Sequence, residues 1–195
     1  LIGDGRKGME MERVLYILKN DEYKISDVAK IRETLSSIAC PLTVRVDKTH
    51  VEVVVFCSDS EGLREKVSSL LKKPIIKVYI GEPEVIDGKE LETYLRFMEE
   101  GLYWLAHTFM EKPWKKFNSE AFHSLVLYAA AFAKAQENER DASLSVLKMA
   151  LEKFPKAFDF SCAVDEIKKV LNNMESHPIR CLNLKEFGGE FRHGG

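Results

Sequence analysis

Apolar and polar positions alternate along the first ninety residues, and then the period changes. Met11 to Lys19 (MERVLYILK) places Val14, Tyr16 and Leu18 on one side and Leu15 and Ile17 on the other, which predicts a strand. Ser26 is read as the cap of a helix running to about Ala39. Its Val28, Ile31, Leu35 and Ile38 recur at amphipathic spacing, and Cys40-Pro41 ends it. Leu42 to Val46 and Val51 to Phe56 read as two strands around the short turn 47–50, the second supported by its β-branched run. A helix from Glu61 to Lys72, capped by Ser58 or Ser60, buries Leu63, Val67, Leu70 and Leu71. Pro74 stops it, and Ile75 to Ile80 is a fourth strand.

From Lys89 the spacing is helical. Leu91, Leu95, Met98, Leu102, Leu105 and Phe109 form one stripe at steps of 4, 3, 4, 3 and 4, which predicts a single helix that Pro113 ends or kinks. A second helix follows an Asn118-Ser119 cap and carries Phe122, Leu125, Val126, Ala129, Phe132 and Ala133. Its alanines suit a close helix crossing. A third, capped by Asp141, carries Leu144, Leu147, Leu151 and Phe154. A fourth starts near Ser161 with Val164, Ile167, Leu171 and Met174, and His177-Pro178 stops it.

The order β-α-β-β-α-β, followed by helices alone, predicts an α+β chain. A ferredoxin-like βαββαβ module spans residues 9–88, an all-helical four-helix domain spans 89–178, and an irregular C-terminal tail occupies 179–195, pinned through Phe187 and Phe191.

Charge narrows the partners. Lys+Arg number 29 against 31 Asp+Glu, a formal net charge of -2, so nucleic acid is not favoured as a partner. Arg45, Lys48, Lys72, Lys73 and Lys77 could still form a local basic patch beside Tyr16, Phe56 or Tyr79, which is the RNA-associated alternative. No apolar run has the length of a bilayer span, so no membrane partner is expected, and LIGDGRKG has no hydrophobic run after its charges and is not read as a signal peptide. Cys40, Cys57, Cys162 and Cys181 follow no metal-ligand spacing; four separate, reduced thiols in a cytoplasmic protein is the expectation. Abundant charge with a single glutamine, Gln136, has an archaeal or thermophilic flavour. An edge strand paired across a two-fold axis would give a homodimer.

One helix carries side chains with chemistry. Glu100, Trp104, His107 and Glu111 fall 4, 3 and 4 apart, with Tyr103 beside them and Trp114 one turn on, and His123 on the next helix can approach. These seven are the expected binding residues. His107 and Glu111 can share a water or a proton and are the candidate catalytic pair, with Glu111 holding His107 as a general base. Two ligands do not make a zinc site, so no metal and no cofactor are expected. The structural alternative is that His107 satisfies a buried polar spot and both tryptophans pack.

The segment YWLAHTFMEKPW resembles the central helix of a small all-helical family of unknown function, with a Tyr/Phe-x-x-Ala-His-Glu-x-x-Glu-x-x-Trp pattern, over about residues 95–155. Tyr103, Ala106, His107, Glu111 and Trp114 match. Thr108 stands where that pattern has an acid, and Pro113 precedes the tryptophan, so a carboxylate-dependent site would be weakened. The resemblance implies a helical fold and no reaction. The functional expectation is an uncharacterised binding or scaffolding protein that takes a small ligand or protein in a groove on the helical domain. The alternative is a metal-dependent or His/Glu hydrolase or nuclease, and whether the chain is an enzyme is left open.

Overall fold

The computed structural model describes residues 11–38, 40, 42–84 and 88–187. Strands β1 (Glu12–Lys19), β2 (Leu42–Val46), β3 (His50–Cys57) and β4 (Ile75–Ile80) form one antiparallel sheet in the order β2-β3-β1-β4. Helix α1 (Val28–Thr34) follows β1 and α2 (Ser60–Leu71) follows β3, so the ferredoxin-like topology read from the sequence is present. The first helix is shorter than its apolar spacing suggests: a 3-10 turn at Ile25–Asp27 precedes it and isolated turns follow Thr34. Expectations for Ala39, Pro41, the N-terminal ten residues, Phe191 and the glycines from 188 onward lie outside the described residues.

Strand alternation gives the sheet two chemically different faces. Val14, Tyr16, Leu18, Val44, Val46, Val51, Val53 and Val55 share one face and are buried. Tyr16 donates from its hydroxyl to the Ser60 carbonyl at the start of α2, which puts the paired helices on this side. The other face carries Leu15, Ile17 and Val54 but also Arg13, Arg45 and Glu52. It meets the second half of the chain, as the contacts Tyr79–Phe97 and Arg13–Thr108 show. One continuous apolar core runs through both halves.

Among the described residues that second half has five α-helices, not the expected four: α3 (Glu90–Glu99), α4 (Tyr103–Phe117), α5 (Glu120–Gln136), α6 (Arg140–Lys153) and α7 (Phe160–Leu171). The predicted 89–112 helix breaks at Gly101. With φ at +71°, Gly101 lets Leu102 N–H reach back to the Phe97 carbonyl (2.9 Å) while its own N–H reaches Met98 (3.3 Å). This is the paired bonding of a glycine-terminated helix, and it satisfies carbonyls that the helix end would otherwise leave bare. The apolar stripe is continuous across the break, so spacing alone could not reveal it. Pro113, by contrast, lies inside α4, and Asn118 at φ +49° closes that helix.

Caps follow the acids more than the serines. Asp59 accepts from Gly62 N–H and Asp159 from Cys162 N–H, where serines were expected, while Ser119 caps α5 as read. Asp141 sits in the first turn of α6 and is not its cap.

Residues Pro178–Cys181 and Leu184–Phe187 form 3-10 turns, Phe158 bridges Leu182, and Phe187 is fully buried against Phe154, pinning this stretch as expected. The expectation of four separate thiols fails: Cys162 and Cys181 are joined in a disulfide with Cα atoms 5.6 Å apart, fastening this stretch to α7. Glu166 of α7, without exposed surface, does the same by polar means. It accepts from Ser176 Oγ (3.0 Å) and His177 N–H (2.6 Å) and pairs with Lys169 and Arg180. Among the described residues no helix is long and apolar enough to cross a membrane.

Candidate functional site

Helix α4 meets the polar sheet face where Arg13 reaches Thr108 and Arg45 lies over Trp104, and its half-buried Trp104, His107 and Glu111 border the seam between them. His107 Nδ1 is 3.1 Å from the Val126 carbonyl of α5. A carbonyl only accepts, so Nδ1 carries the proton and Nε2 of the neutral ring is a bare acceptor. Nε2 sits 3.4 Å from Glu111 Oε1, while Lys115 holds the other Glu111 oxygen at 3.1 Å. Burial lowers the His107 pKa, and the guanidinium groups of Arg45 and Arg13 lower it further against the opposing pull of Val126 and Glu111. The imidazole is therefore neutral near pH 7.

Trp104 organises the sheet side. Its ring stacks on His107 (4.5 Å between centroids, 25° between planes), and the Arg45 and Arg13 guanidinium carbons lie 4.7 and 5.8 Å from its centroid. Arg13 donates to Thr108 Oγ1 at 3.4 Å, and its Nη2 is buried with no hydrogen-bond partner among the described residues. Burial, then Arg45, lower the Arg13 pKa.

The other predicted binding residues do not join this group. His123 stacks on Trp114 (4.0 Å, 12°) in a separate pair further along the hairpin. Tyr103 is buried in the core against Phe132. Glu100 belongs to the end of α3, before the Gly101 break, and lies 3.9 Å from Lys77. It lines a cleft of about 210 Å³ with Asp47, Gly101, Ser176 and His177.

A second polar cluster escaped the sequence reading. Arg45, expected in a basic surface patch, is only 3% exposed. Its guanidinium reaches Glu137 at the end of α5 (2.7 Å) and, less closely, Glu52 (3.6 Å). His50 Nε2 is 3.5 Å from Glu52, and Gln136 donates to the Gly101 carbonyl (2.8 Å) and to Asp47 (3.3 Å). Among the described residues neither Glu52 oxygen has a hydrogen-bond partner of good geometry. A signal for part of this was present: a two-residue turn at Lys48-Thr49 sets Arg45 directly opposite Glu52. The α5 partners had none. Of the aromatic residues considered for RNA, Tyr16 lies on the α1/α2 face, Tyr79 packs edge-on against Phe97, and Phe56 is exposed. Among the described residues no group of three or more His, Cys, Asp or Glu side chains could hold a metal ion.

The fold defines an α+β chain in which a ferredoxin-like sheet is followed by a helical region. Residues 91–146, under a third of the chain, match the family described as Domain of unknown function (DUF309), which takes in most of α3, all of α4 and α5 and the start of α6. No curated protein and no solved structure matches.

Proposed function

We propose that the chain is a binding protein whose ligand docks on the α4 seam at Trp104, His107 and Glu111. The carrying observation is that His107 Nε2 and Glu111 Oε1 face each other 3.4 Å apart as two acceptors, with the imidazole neutral. An ammonium group, with three donors, satisfies both at once. The unpartnered Arg13 Nη2 nearby suits an acidic group on the same molecule. The ligand class is thus a small amino acid or its phosphate ester. We take the His107-x-x-x-Glu111-x-x-Trp114 helix as the distinguishing pattern of the matched family. A second reading has one observation in its favour: a neutral imidazole with a free Nε2 is also the base form a hydrolase requires, and water could occupy the same position.

The test uses serine, phosphoserine and inorganic phosphate as probes, with long-range proton–nitrogen NMR of the His107 ring. Phosphoserine is expected to move the Nε2 resonance and raise the thermal midpoint, and His107→Gln and Arg13→Met to lose both responses. A probe that binds these variants as well as the wild type, or a His107 resonance that no probe moves, would remove the seam as the binding site.

A further inference from the structure

A chain of close contacts runs from a buried histidine to the α4 seam. His50 is 4% exposed. The Thr49 hydroxyl donates to Asp47 Oδ1 (3.1 Å), so it accepts from His50, whose Nδ1 is 3.0 Å away. Nδ1 therefore keeps its hydrogen. Nε2, 3.5 Å from Glu52 Oε1, is where a proton comes and goes. The other Glu52 oxygen is 3.6 Å from Arg45 Nη1, and Arg45 Nη2 is tied to Glu137 at 2.7 Å. The Arg45 guanidinium carbon lies 4.7 Å from the Trp104 ring centroid, and that ring stacks on His107. His50 Nε2, both Glu52 oxygens and Arg45 Nε and Nη1 are buried with no hydrogen-bond partner of good geometry among the described residues. They act on one another through charge, where water screens it least.

We propose that the His50–Glu52 pair is a proton-operated switch that sets how much of Arg45's charge faces Trp104, and so, if the seam is the ligand site argued above, how tightly it holds an acidic group. With His50 protonated, Glu52 is balanced from its own strand, and Arg45 is left to Glu137 and the seam. With His50 neutral, Glu52 and Glu137 both draw on Arg45, and Glu52 opposes an anion at Arg13, whose charge it already influences. The groups around His50 are mostly acidic: Glu52 on β3, Asp47 in the turn, Glu100 at the end of α3 and, beyond Arg45, Glu137 at the end of α5. Of the cations besides Arg45, Lys134 pairs with Glu137 (2.8 Å), Lys48 reaches Glu175 (3.9 Å), and Lys19, the register partner on β1, is exposed. Tyr103 of α4 is neutral, its hydroxyl pKa pushed far up by burial. Burial opposes a charged His50, but Glu52, then Asp47 and Glu100, outweigh it, so the proton is held above the ordinary histidine value and leaves as pH rises further. Burial lowers the His107 pKa, so its transition falls on the acid side and the two separate.

The test titrates the full-length protein by NMR from about pH 5 to 9, following the His50 and His107 rings and the Trp104 indole N–H. Trp114→Phe assigns the indole, since the chain has two tryptophans. The indole is expected to move in two steps, one at the His107 midpoint and a higher one at the His50 midpoint. Glu52→Gln is expected to drop the His50 midpoint below about 6.5 and abolish the higher step. An indole that follows His107 alone, or a higher step that survives in Glu52→Gln, overturns the switch. The wild-type titration decides this even if the variant fails to fold. Serine O-sulfate, whose acidic group keeps one charge over this range, then reports on the seam. From about pH 7 to 8.5 its affinity should fall about threefold more in wild type than in Glu52→Gln. Equal falls overturn the action on the ligand. No binding to either protein rejects the seam as the ligand site, and with it that action, while the indole still decides the switch.

Discussion

Glu52 and Glu166 are both buried without exposed surface, yet their surroundings differ. Glu166 receives the Ser176 hydroxyl and the His177 amide and pairs with Lys169 and Arg180, cations that reach solvent. Glu52 has Arg45 at 3.6 Å and His50 at 3.5 Å, and among the described residues no hydrogen bond of good geometry to either oxygen. A buried carboxylate with its lone pairs filled is a fastening. One held only by charge, deep between sheet and helices, is an electrostatic element that its neighbours' protonation can alter. The first closes the C-terminal stretch onto α7; the second lies where the two halves of the chain meet.

Breaking the Glu52 side produces the largest effect. Arg45→Met leaves Glu52 and Glu137 buried without their shared cation, and the expected loss is about 3–5 kcal/mol in urea unfolding. Glu166→Ala costs less, about 2 kcal/mol. Lys169 and Arg180 turn to water, and the main loss is the acceptor for His177 N–H and Ser176. If Glu166→Ala proved the more damaging, the contrast between fastening and electrostatic element would collapse.

Gly101→Ala probes the Glu52 side without removing a charge. The new Cβ would lie 2.9 Å from Asp47 Oδ2 in a backbone at φ +71°, pushing Asp47 off Gln136. The expected loss is about 1–2 kcal/mol, read as a lowered urea midpoint at unchanged slope.

The sheet was legible because strand alternation and turn residues are local: VEVVVF and the two-residue turn dictate β3 and its pairing with β2. The α3–α4 break was not, because Leu91 to Phe109 keeps one apolar stripe whether or not the chain turns at Gly101. His107 and Glu111 are four residues apart on one helix, so their meeting could be read directly. Arg13, Arg45 and Val126 reach them only through tertiary packing, which no spacing along the chain encodes. The Cys162–Cys181 pairing likewise depends on how the chain after α7 folds back.

The smallest change in stability should carry the clearest pH signature. Glu52→Gln removes a buried charge while Arg45 keeps Glu137 at 2.7 Å, so the expected change at pH 7 is under about 1 kcal/mol. Burial works against a charged His50, but Glu52, then Asp47 and Glu100, outweigh it and raise its pKa. A raised pKa in the folded state means stabilisation that is complete below the unfolded value of about 6.5 and lost as pH rises through the folded one. Without the Glu52 charge, burial dominates, the folded pKa drops below the unfolded one, and the slope inverts: stability is lost as pH falls below about 6.5. His107, whose pKa burial lowers, adds a contribution of that second sign to both proteins, so it cancels in their difference. Urea midpoints from pH 5.5 to 8.5 should therefore diverge between wild type and variant, with the wild type relatively favoured at the acid end. Parallel curves would show that His50 does not sense Glu52, and the unfilled carboxylate would be no more responsive than Glu166.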